Sequence, residues 1–333
     1  HQTDFGLDFG FFGNSLQLTA DYFYKRTEGM LQVMPVPTYL GESKPWGNVG
    51  EMSNRGIELD MNYRYSIGDF NFSIGANATY IKTILINAGN ETGILDGGSF
   101  HQMGTITRGQ NGMVYPYFYG YKTDGVFQNW DEVNSYVAAD GSLIQPSAQP
   151  GDFRYKDLDG DGKITAEGDR TNLGKCVPAW TYGVNASIDW KGIDFSMVWQ
   201  GVAGNKIFDG TRRTDIPTMN QPKYVLNRWT GEGSTNAYPR FTTTDPNQNW
   251  SKASDFFIKD ASYFRLKNIT LGYTLPYNWT KKVFVKKLRV YVAAENLLTL
   301  TKYDGFDPEI AGYMDRGIYP QARTFQFGAS ITF

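Results

Sequence analysis

The chain has 333 residues, of which 20% are charged, and its formal net charge is −2. This length is sufficient for a large core, while the near-neutral charge argues against a nucleic-acid-binding protein and against a charged disordered tail. No stretch reaches the ~18 consecutive apolar residues of a transmembrane helix. The 37 glycines and the 16% aromatic content disfavour helices and favour strands and turns.

Alternating apolar and polar residues predict about nine strands of an all-β fold. The clearest alternation, in chain order, lies at residues 16–24, 57–65, 70–80, 180–190, 264–275, 288–294 and 325–333. In the first half of 57–65, for example, Ile57, Leu59 and Met61 alternate with Glu58 and Asp60. The pattern of 264–275 changes phase between Leu266 and Ile269, which predicts a β-bulge.

These strands are longer than those of most soluble proteins. Strands of soluble domains have ~5 to 6 residues, whereas ~9 to 11 tilted residues span a bilayer. The length therefore favours a transmembrane antiparallel β-barrel. A soluble β-sandwich would show the same alternation with its apolar face inward, so periodicity alone leaves both folds open.

The connections between the strands alternate in length. Short turns are predicted at 13–14, 67–69 and 191–192 and a modest one at 276–286, while long loops are predicted at about 27–52, 86–179, 204–262 and 298–321. Short turns at one end and long loops at the other are typical of outer-membrane barrels, in which the long loops face outside. Because nine strands cannot close an even-numbered bacterial barrel, we expect the remaining strands in polypeptide that precedes His1.

Several segments together resemble one family of membrane proteins. They are NRGIEL (54–59), GYKTDGVF (120–127), GDFRYKDLDGDGKI (151–164), YFRLKNITLGY (263–273), AENL (294–297), GFDPE (305–309) and the end of the chain from YPQ (319–321). In this order they resemble the C-terminal half of the SusC/RagA family of TonB-dependent outer-membrane transporters.

The resemblance implies a 22-strand barrel in the bacterial outer membrane that imports glycans or peptides. It implies that residues 1–333 form the C-terminal part of the barrel, with about nine or ten strands, and that the plug and the N-terminal segments are absent. The implied partners are a SusD-like surface lipoprotein, TonB acting through the absent N-terminal part, the remaining barrel and plug polypeptide, and outer-membrane lipid. The alternative is a soluble calcium-binding carbohydrate-recognition β-domain.

An acidic turn predicts a structural calcium site. Asp157, Asp159 and Asp161 with Gly162 follow the first half of an EF-hand-type loop, in which alternate carboxylates converge at a sharp turn. Lys163 would contribute its backbone carbonyl. The twelfth position is Gly168, so the closing acid is displaced by one residue to Glu167 or Asp169.

A dense aromatic run in the longest connection is a candidate for contact with cargo. It consists of Tyr115, Tyr117, Phe118, Tyr119 and Tyr121. Aromatic rings stack well on sugar faces and peptide side chains, although packing within the loop explains such a run equally well.

The residue inventory argues against an enzyme. The histidines are His1 and His101 and the one thiol is Cys176, while nucleophile-elbow, zinc-protease and phosphate-binding motifs are missing from the sequence. A pair of carboxylates brought together by the fold would suffice for a glycosidase, so this alternative stays open. Because the catalytic motifs are missing, we expect no catalytic residues.

Overall fold

A computed structural model describes residues 1–33, 45–212 and 220–333. Its largest element is one nine-stranded sheet, called the wall below, in which every neighbouring pair is antiparallel. Within the described residues, no helix is both long and apolar enough to cross a membrane.

The chain contains eighteen strands in the described ranges. They are β1 (Gln2–Phe11), β2 (Leu16–Val33), β3 (Trp46–Ile67), β4 (Phe70–Asn87), β5 (Ile94–Asp96), β6 (Thr107–Gln110), β7 (Tyr117–Tyr121), β8 (Thr123–Val126), β9 (Phe153–Tyr155), β10 (Arg170–Lys175), β11 (Trp180–Trp190), β12 (Ile193–Ala203), β13 (Lys206–Asp209), β14 (Ile258–Asp260), β15 (Tyr263–Thr274), β16 (Lys287–Thr301), β17 (Met314–Asp315) and β18 (Thr324–Thr332). The helices are short, with α1 at Trp130–Ser135, α2 at Tyr277–Thr280 and single 3₁₀ turns elsewhere.

The wall has the strand order β1-β2-β3-β4-β11-β12-β15-β16-β18. Its tight turns are those that the sequence predicts: β1 and β2 flank Gly13 and Asn14, β3 and β4 flank residues 68–69, and β11 and β12 flank residues 191–192. Gly13, Gly68 and Gly192 have φ angles of 64°, 57° and 88°, a region in which glycine carries no Cβ penalty. The predicted alternation of short turns and long connections is therefore confirmed.

The predicted bulge in β15 is also confirmed. The pairing of β15 with β16 shifts register between Leu266 and Asn268, and its pairing with β12 shifts between Val198 and Trp199 on the β12 side. An extra residue at this point keeps Leu266 and Ile269 on the same face of the sheet.

The predicted loop 27–52 is largely strand, which corrects the sequence-based boundaries. Strand β2 continues to Val33, and strand β3 already begins at Trp46. The register of the two strands shifts beside Gly29, whose φ angle is 66°, and the hydrogen-bonded ladder continues beyond this shift. The central part of this prediction, residues 34–44, lies outside the described residues, as do residues 213–219 of the predicted loop 204–262.

The three other long connections fold together into a second unit, called the cap below (residues 88–179, 204–212, 220–262 and 302–323). It contains three small sheets with the orders β10-β7-β6-β5, β14-β13-β17 and β8-β9. Its main core joins Phe100 and Phe118 of the first connection to Phe208 and Trp250 of the second. Cys176 is buried in this core, and burial raises the pKa of its thiol.

Candidate functional site

The wall has two chemically different faces. Strand register places side chains of one parity together on an apolar face, which includes Phe5, Tyr22, Leu59, Ala78, Tyr182, Phe195, Leu271, Val292 and Phe327. The opposite, polar face includes Asp8, Thr19, Asp60, Asn77, Asn185, Ser196, Thr270 and Gln326. Leu59 is 45% exposed and Phe327 is 83% exposed, so the apolar face is not covered by the described chain.

Aromatic rings mark both edges of the apolar face. The ring centroids of Tyr80 and Trp180 lie 5.0 Å apart near the cap, while Trp190 pairs with Phe70 at the short turns. Trp180 and Trp190 are the first and last residues of the 11-residue strand β11. They are therefore separated by about 33 Å along the strand, or about 25 Å across a bilayer for a tilt of about 40°. This height matches the apolar band of outer-membrane barrels.

On the polar face, a buried arginine ties one long connection to the wall. Arg265 of β15 is 3% exposed, and its guanidinium donates to Asp307 at 2.6 Å and to Glu309 at 2.6 Å. Lys267 donates to the same Glu309 carboxylate at 3.0 Å, and Asp307 accepts the backbone N–H of Gln321 at 2.8 Å. This ion-pair network joins two of the segments that carry the family resemblance, a contact that neither segment reveals in the sequence.

The aromatic run of the first long connection is mostly buried. Tyr117, Phe118, Tyr119 and Tyr121 are each at most 9% exposed, and Tyr115 is half-buried. The Tyr119 ring has the guanidinium carbons of Arg108 and Arg170 at 3.6 and 4.3 Å from its centroid, and Arg170 donates to the carbonyl of Tyr119 at 2.8 Å.

This burial corrects the expected placement of the run, because the four buried rings offer no open surface to cargo in this structure. The reason is packing on both faces of β7: residues 117–121 form an inner strand of the cap's four-stranded sheet, and Phe118 lies in the main core of the cap while Tyr121, on the opposite face, lies in a second core cluster.

The acidic turn brings together three of the predicted ligands. Carboxylate oxygens of Asp157, Asp159 and Asp169 all lie within 4.8 Å of one another. Asp169 is fully buried and accepts the backbone N–H groups of Leu158 and Thr165, each at 2.6 Å. Asp157 accepts those of Gly160 and Gly162 at 2.7 and 2.9 Å, so the turn is held in place by its own carboxylates.

Asp161 is placed outside this group. Its carboxylate accepts the backbone N–H of Lys163 at 2.9 Å, and both residues are exposed, as is Glu167. Of the two candidates for the closing acid, the structure brings Asp169 to the group. Gly168 at the twelfth position is explained by crowding, since a Cβ there would lie 2.0 Å from a carboxylate oxygen of Asp159.

Hard oxygen donors fit calcium, which takes carboxylate oxygens in a flexible shell. The three clustered carboxylates carry a formal charge of −3, and close carboxylates repel one another unless a cation screens them. The donor set therefore fits the predicted ion at Asp157, Asp159 and Asp169.

A cavity of about 570 Å³ lies between the second and third cap connections. Tyr224, Tyr238 and the 66% exposed Phe306 line it, together with the ion pair of Lys259 and Asp304 at 3.8 Å. Residues separated by about 80 positions meet here, so local sequence patterns carry no signal for the cavity.

Comparison with known proteins identifies the family. The family model described as TonB dependent receptor-like, beta-barrel, matches residues 1–297. The chain belongs to this family. It is 31% identical to TonB-dependent receptor P3 of Formosa agariphila, covering 100% of this chain and 34% of that protein.

A second relative carries the resemblance found in the sequence. The chain is 26% identical to TonB-dependent receptor SusC of Bacteroides thetaiotaomicron, over 98% of this chain and 31% of that protein. The chain therefore spans about a third of the length of the curated relatives that it matches. These matches confirm the SusC-like resemblance and favour the membrane interpretation over the soluble carbohydrate-recognition domain.

The wall and cap resemble a solved transporter structure. The RagAB peptide importer in its open-open state superposes with a TM-score of 0.78 at 24% identity, covering 100% of this chain and 34% of that chain. This likeness supports the same fold. Together with the family match, it confirms an all-β barrel architecture located in the bacterial outer membrane. In such barrels the apolar face contacts lipid and the polar face lines the lumen.

Proposed function

We propose that this chain forms part of the barrel of a transporter that imports glycans or peptides across the bacterial outer membrane with energy from TonB. The observation that carries the proposal is the wall, with its apolar band of about 25 Å and its polar opposite face. The family match and the relative named SusC support it.

The proposal includes partners that this chain does not contain. The remaining barrel and plug polypeptide would close the wall, TonB would act through the N-terminal part, and a SusD-like surface lipoprotein would cover the cap. The similar solved structure is the RagAB peptide importer, which keeps peptide beside glycan as cargo. We propose no catalytic role, because the family is one of receptors.

Uptake by living cells tests the import function. Cells that carry the whole transporter should accumulate labelled oligosaccharide or oligopeptide, and deletion of the transporter gene or of TonB should abolish that uptake. Uptake that persists without TonB would contradict energised import, and a purified transporter that binds neither class of cargo would contradict the cargo assignment.

We propose that cargo contacts the cavity between the second and third cap connections. The rings of Tyr224, Tyr238 and Phe306 offer stacking surfaces, and the paired charges of Lys259 and Asp304 offer a donor and acceptors without net charge. Phe306→Ala removes an exposed ring and should weaken cargo binding without lowering stability. Trp130→Ala, at an exposed ring outside the cavity, is the matched control.

We also propose that Asp157, Asp159 and Asp169 hold a structural calcium ion that orders the turn at 151–169. The fit of three clustered carboxylates supports this. Asp159→Ala or chelation should increase proteolysis within this turn while the wall stays folded, whereas Asp161→Ala should behave like the unmodified protein. Calcium binding that is lost with Asp161→Ala and kept with Asp159→Ala would contradict the assignment.

A further inference from the structure

The connection between β15 and β16 differs from the other turns at the same end of the wall. Residues 275–286, called the β15–β16 turn below, contain α2 and a 3₁₀ turn at Lys281–Val283, whereas the three other short connections have two to four residues. The backbone N–H of Leu275 donates to the carbonyl of Leu288 at 2.9 Å, so the turn begins directly where the strand ladder ends.

Large apolar side chains of this turn are exposed. Trp279 is 62% exposed and Phe284 is 90% exposed, and Tyr277 and Val283 are exposed to a similar degree as Trp279. Phe284 has a φ angle of 60°, in the left-handed region that disfavours a bulky side chain. The turn therefore presents an aromatic ring outward in a backbone conformation that glycine would adopt more easily, which is unexpected for a turn in water.

The same turn is strongly cationic. Lys281, Lys282 and Lys286 are exposed, and residues 275–294 contain no aspartate or glutamate. Across the described ranges, no carboxylate lies within 4.0 Å of these three ammonium groups. Apolar rings and unpaired lysines therefore occupy one short segment.

The turn is continuous with the lipid-facing surface of the wall. Tyr273 near the end of β15 and Val290 near the start of β16 are register partners on the apolar face. Tyr273 also pairs with Ile193, three residues beyond Trp190 of the aromatic edge. The turn therefore extends the aromatic edge at the end of the wall that carries the short turns, where tryptophan, tyrosine and lysine are favoured at a membrane surface.

We infer that the β15–β16 turn anchors the barrel to anionic phospholipids of the inner leaflet of the outer membrane. The rings of Tyr277, Trp279 and Phe284 lie at the boundary between headgroups and acyl chains, and the three lysines pair with lipid phosphates. Two observations select phospholipid as the occupant: the sign of the charge and the continuity with the lipid-facing surface. The inference rests on the outer-membrane location and goes beyond cargo import.

Depth measurement on the whole transporter tests the position of the turn. A spin label at Phe284→Cys, in nanodiscs, should be more accessible to oxygen and less accessible to an aqueous nickel chelate than a label at Asp140→Cys in the exposed part of the cap. Equal accessibility to nickel at both positions would overturn the anchor. Inaccessibility of residue 284 to both reagents would also overturn it, because another part of the protein would then cover the ring.

Lipid retention tests the lysines. In nanodiscs that contain phosphatidylcholine and phosphatidylglycerol, the unmodified transporter should retain phosphatidylglycerol in native mass spectrometry. Each surface lysine contributes roughly a fivefold preference for anionic lipid, so replacing Lys281, Lys282 and Lys286 by Gln should lower retention at least fivefold. The matched control replaces three exposed lysines outside the turn: Lys25, Lys122 and Lys302.

Equal retention by the two triple variants would overturn the anchor. Cargo uptake is measured on the same variants, so the lipid anchor and the import function are tested independently. Normal uptake with unchanged lipid retention in the triple variant of the turn would contradict the anchor alone, whereas absent uptake by the unmodified transporter would contradict the import function alone.

Discussion

Arg265 illustrates how a single buried charge joins the cap to the wall. A guanidinium this deep in protein is stabilised only if its donors are paired, and here they bond to Asp307, Glu309 and the hydroxyl of Thr299. Removing one partner leaves part of the charge uncompensated in a region of low dielectric. The stability of the connection 302–323 should therefore depend more on Asp307 than on any exposed acidic residue.

Asp307→Asn should make the connection 302–323 open more easily by about 1.5 to 3 kcal/mol, the usual contribution of a hydrogen bond to a charged group. Hydrogen exchange of the backbone amides in 302–323, in the whole transporter, measures this opening. The matched control is Asp304→Asn, because Asp304 pairs with Lys259 at 3.8 Å and is exposed, and such pairs contribute at most about 1 kcal/mol. Equal effects of the two substitutions would contradict the network.

The same carboxylate makes the connection sensitive to acid. Burial alone would raise the pKa of Asp307, but the Arg265 guanidinium and the backbone N–H groups of Gln321 and Glu309 outweigh it, so the pKa lies below its ordinary value. A lowered folded-state pKa stabilises the connection above about pH 4, and this stabilisation is lost as pH falls through the folded-state value. A spin label at Phe306→Cys should become mobile in that range, and Asp307→Asn should remove the transition.

At the scale of elements, alternation and turn residues were sufficient to predict the wall. Gly13, Gly68 and Gly192 adopt positive φ angles at the predicted turns, and the phase change near Leu266 became a bulge. These signals are local, because a strand's period and a turn's φ angle are properties of neighbouring residues. The loop prediction at 27–52 was wrong in its boundaries, since a bulge beside Gly29 interrupts the period without ending the strand.

The candidate sites were less predictable because they depend on contacts between distant residues. The spacing predicted Asp157, Asp159 and Asp161 equally as metal ligands. Which carboxylate oxygens converge depends instead on the position of Asp169 and on hydrogen bonds from the backbone of the turn. The sequence pattern of the aromatic run does not distinguish a buried run from an exposed one. The burial of this run follows from contacts with distant residues, since Phe118 packs in the main core of the cap with Phe208 and Trp250.

The cap and the wall should respond separately to substitutions in the cap core. Phe118 is fully buried in the main core of the cap, so Phe118→Ala should destabilise the cap by about 3 to 5 kcal/mol. Protease protection of residues 88–179 should fall, while the heat-modifiable gel mobility of the barrel stays unchanged. Trp130→Ala, at an exposed cap position, should change neither readout. Loss of the folded barrel with Phe118→Ala would show instead that cap and wall unfold together.

At the scale of the whole molecule, the membrane-spanning arrangement depends on which face of the wall contacts lipid. The wall supplies nine antiparallel strands with one apolar and one polar face, and the chain spans about a third of the length of its curated relatives. A charged side chain on the lipid face at mid-bilayer would cost about 2 to 4 kcal/mol. The acids of β3, such as Glu58 and Asp60, are therefore expected on the lumen side, with Ile57, Leu59 and Met61 towards lipid.

Cysteine accessibility at two neighbouring residues of β3 tests this arrangement most directly. Leu59→Cys and Asp60→Cys are introduced separately into the whole transporter and treated in intact outer membranes with a water-soluble thiol reagent. The one native cysteine of this chain, Cys176, is buried and adds little background. Labelling of residue 60 with little labelling of residue 59 is the expected result, and stronger labelling of residue 59 than of residue 60 would contradict the membrane-spanning wall.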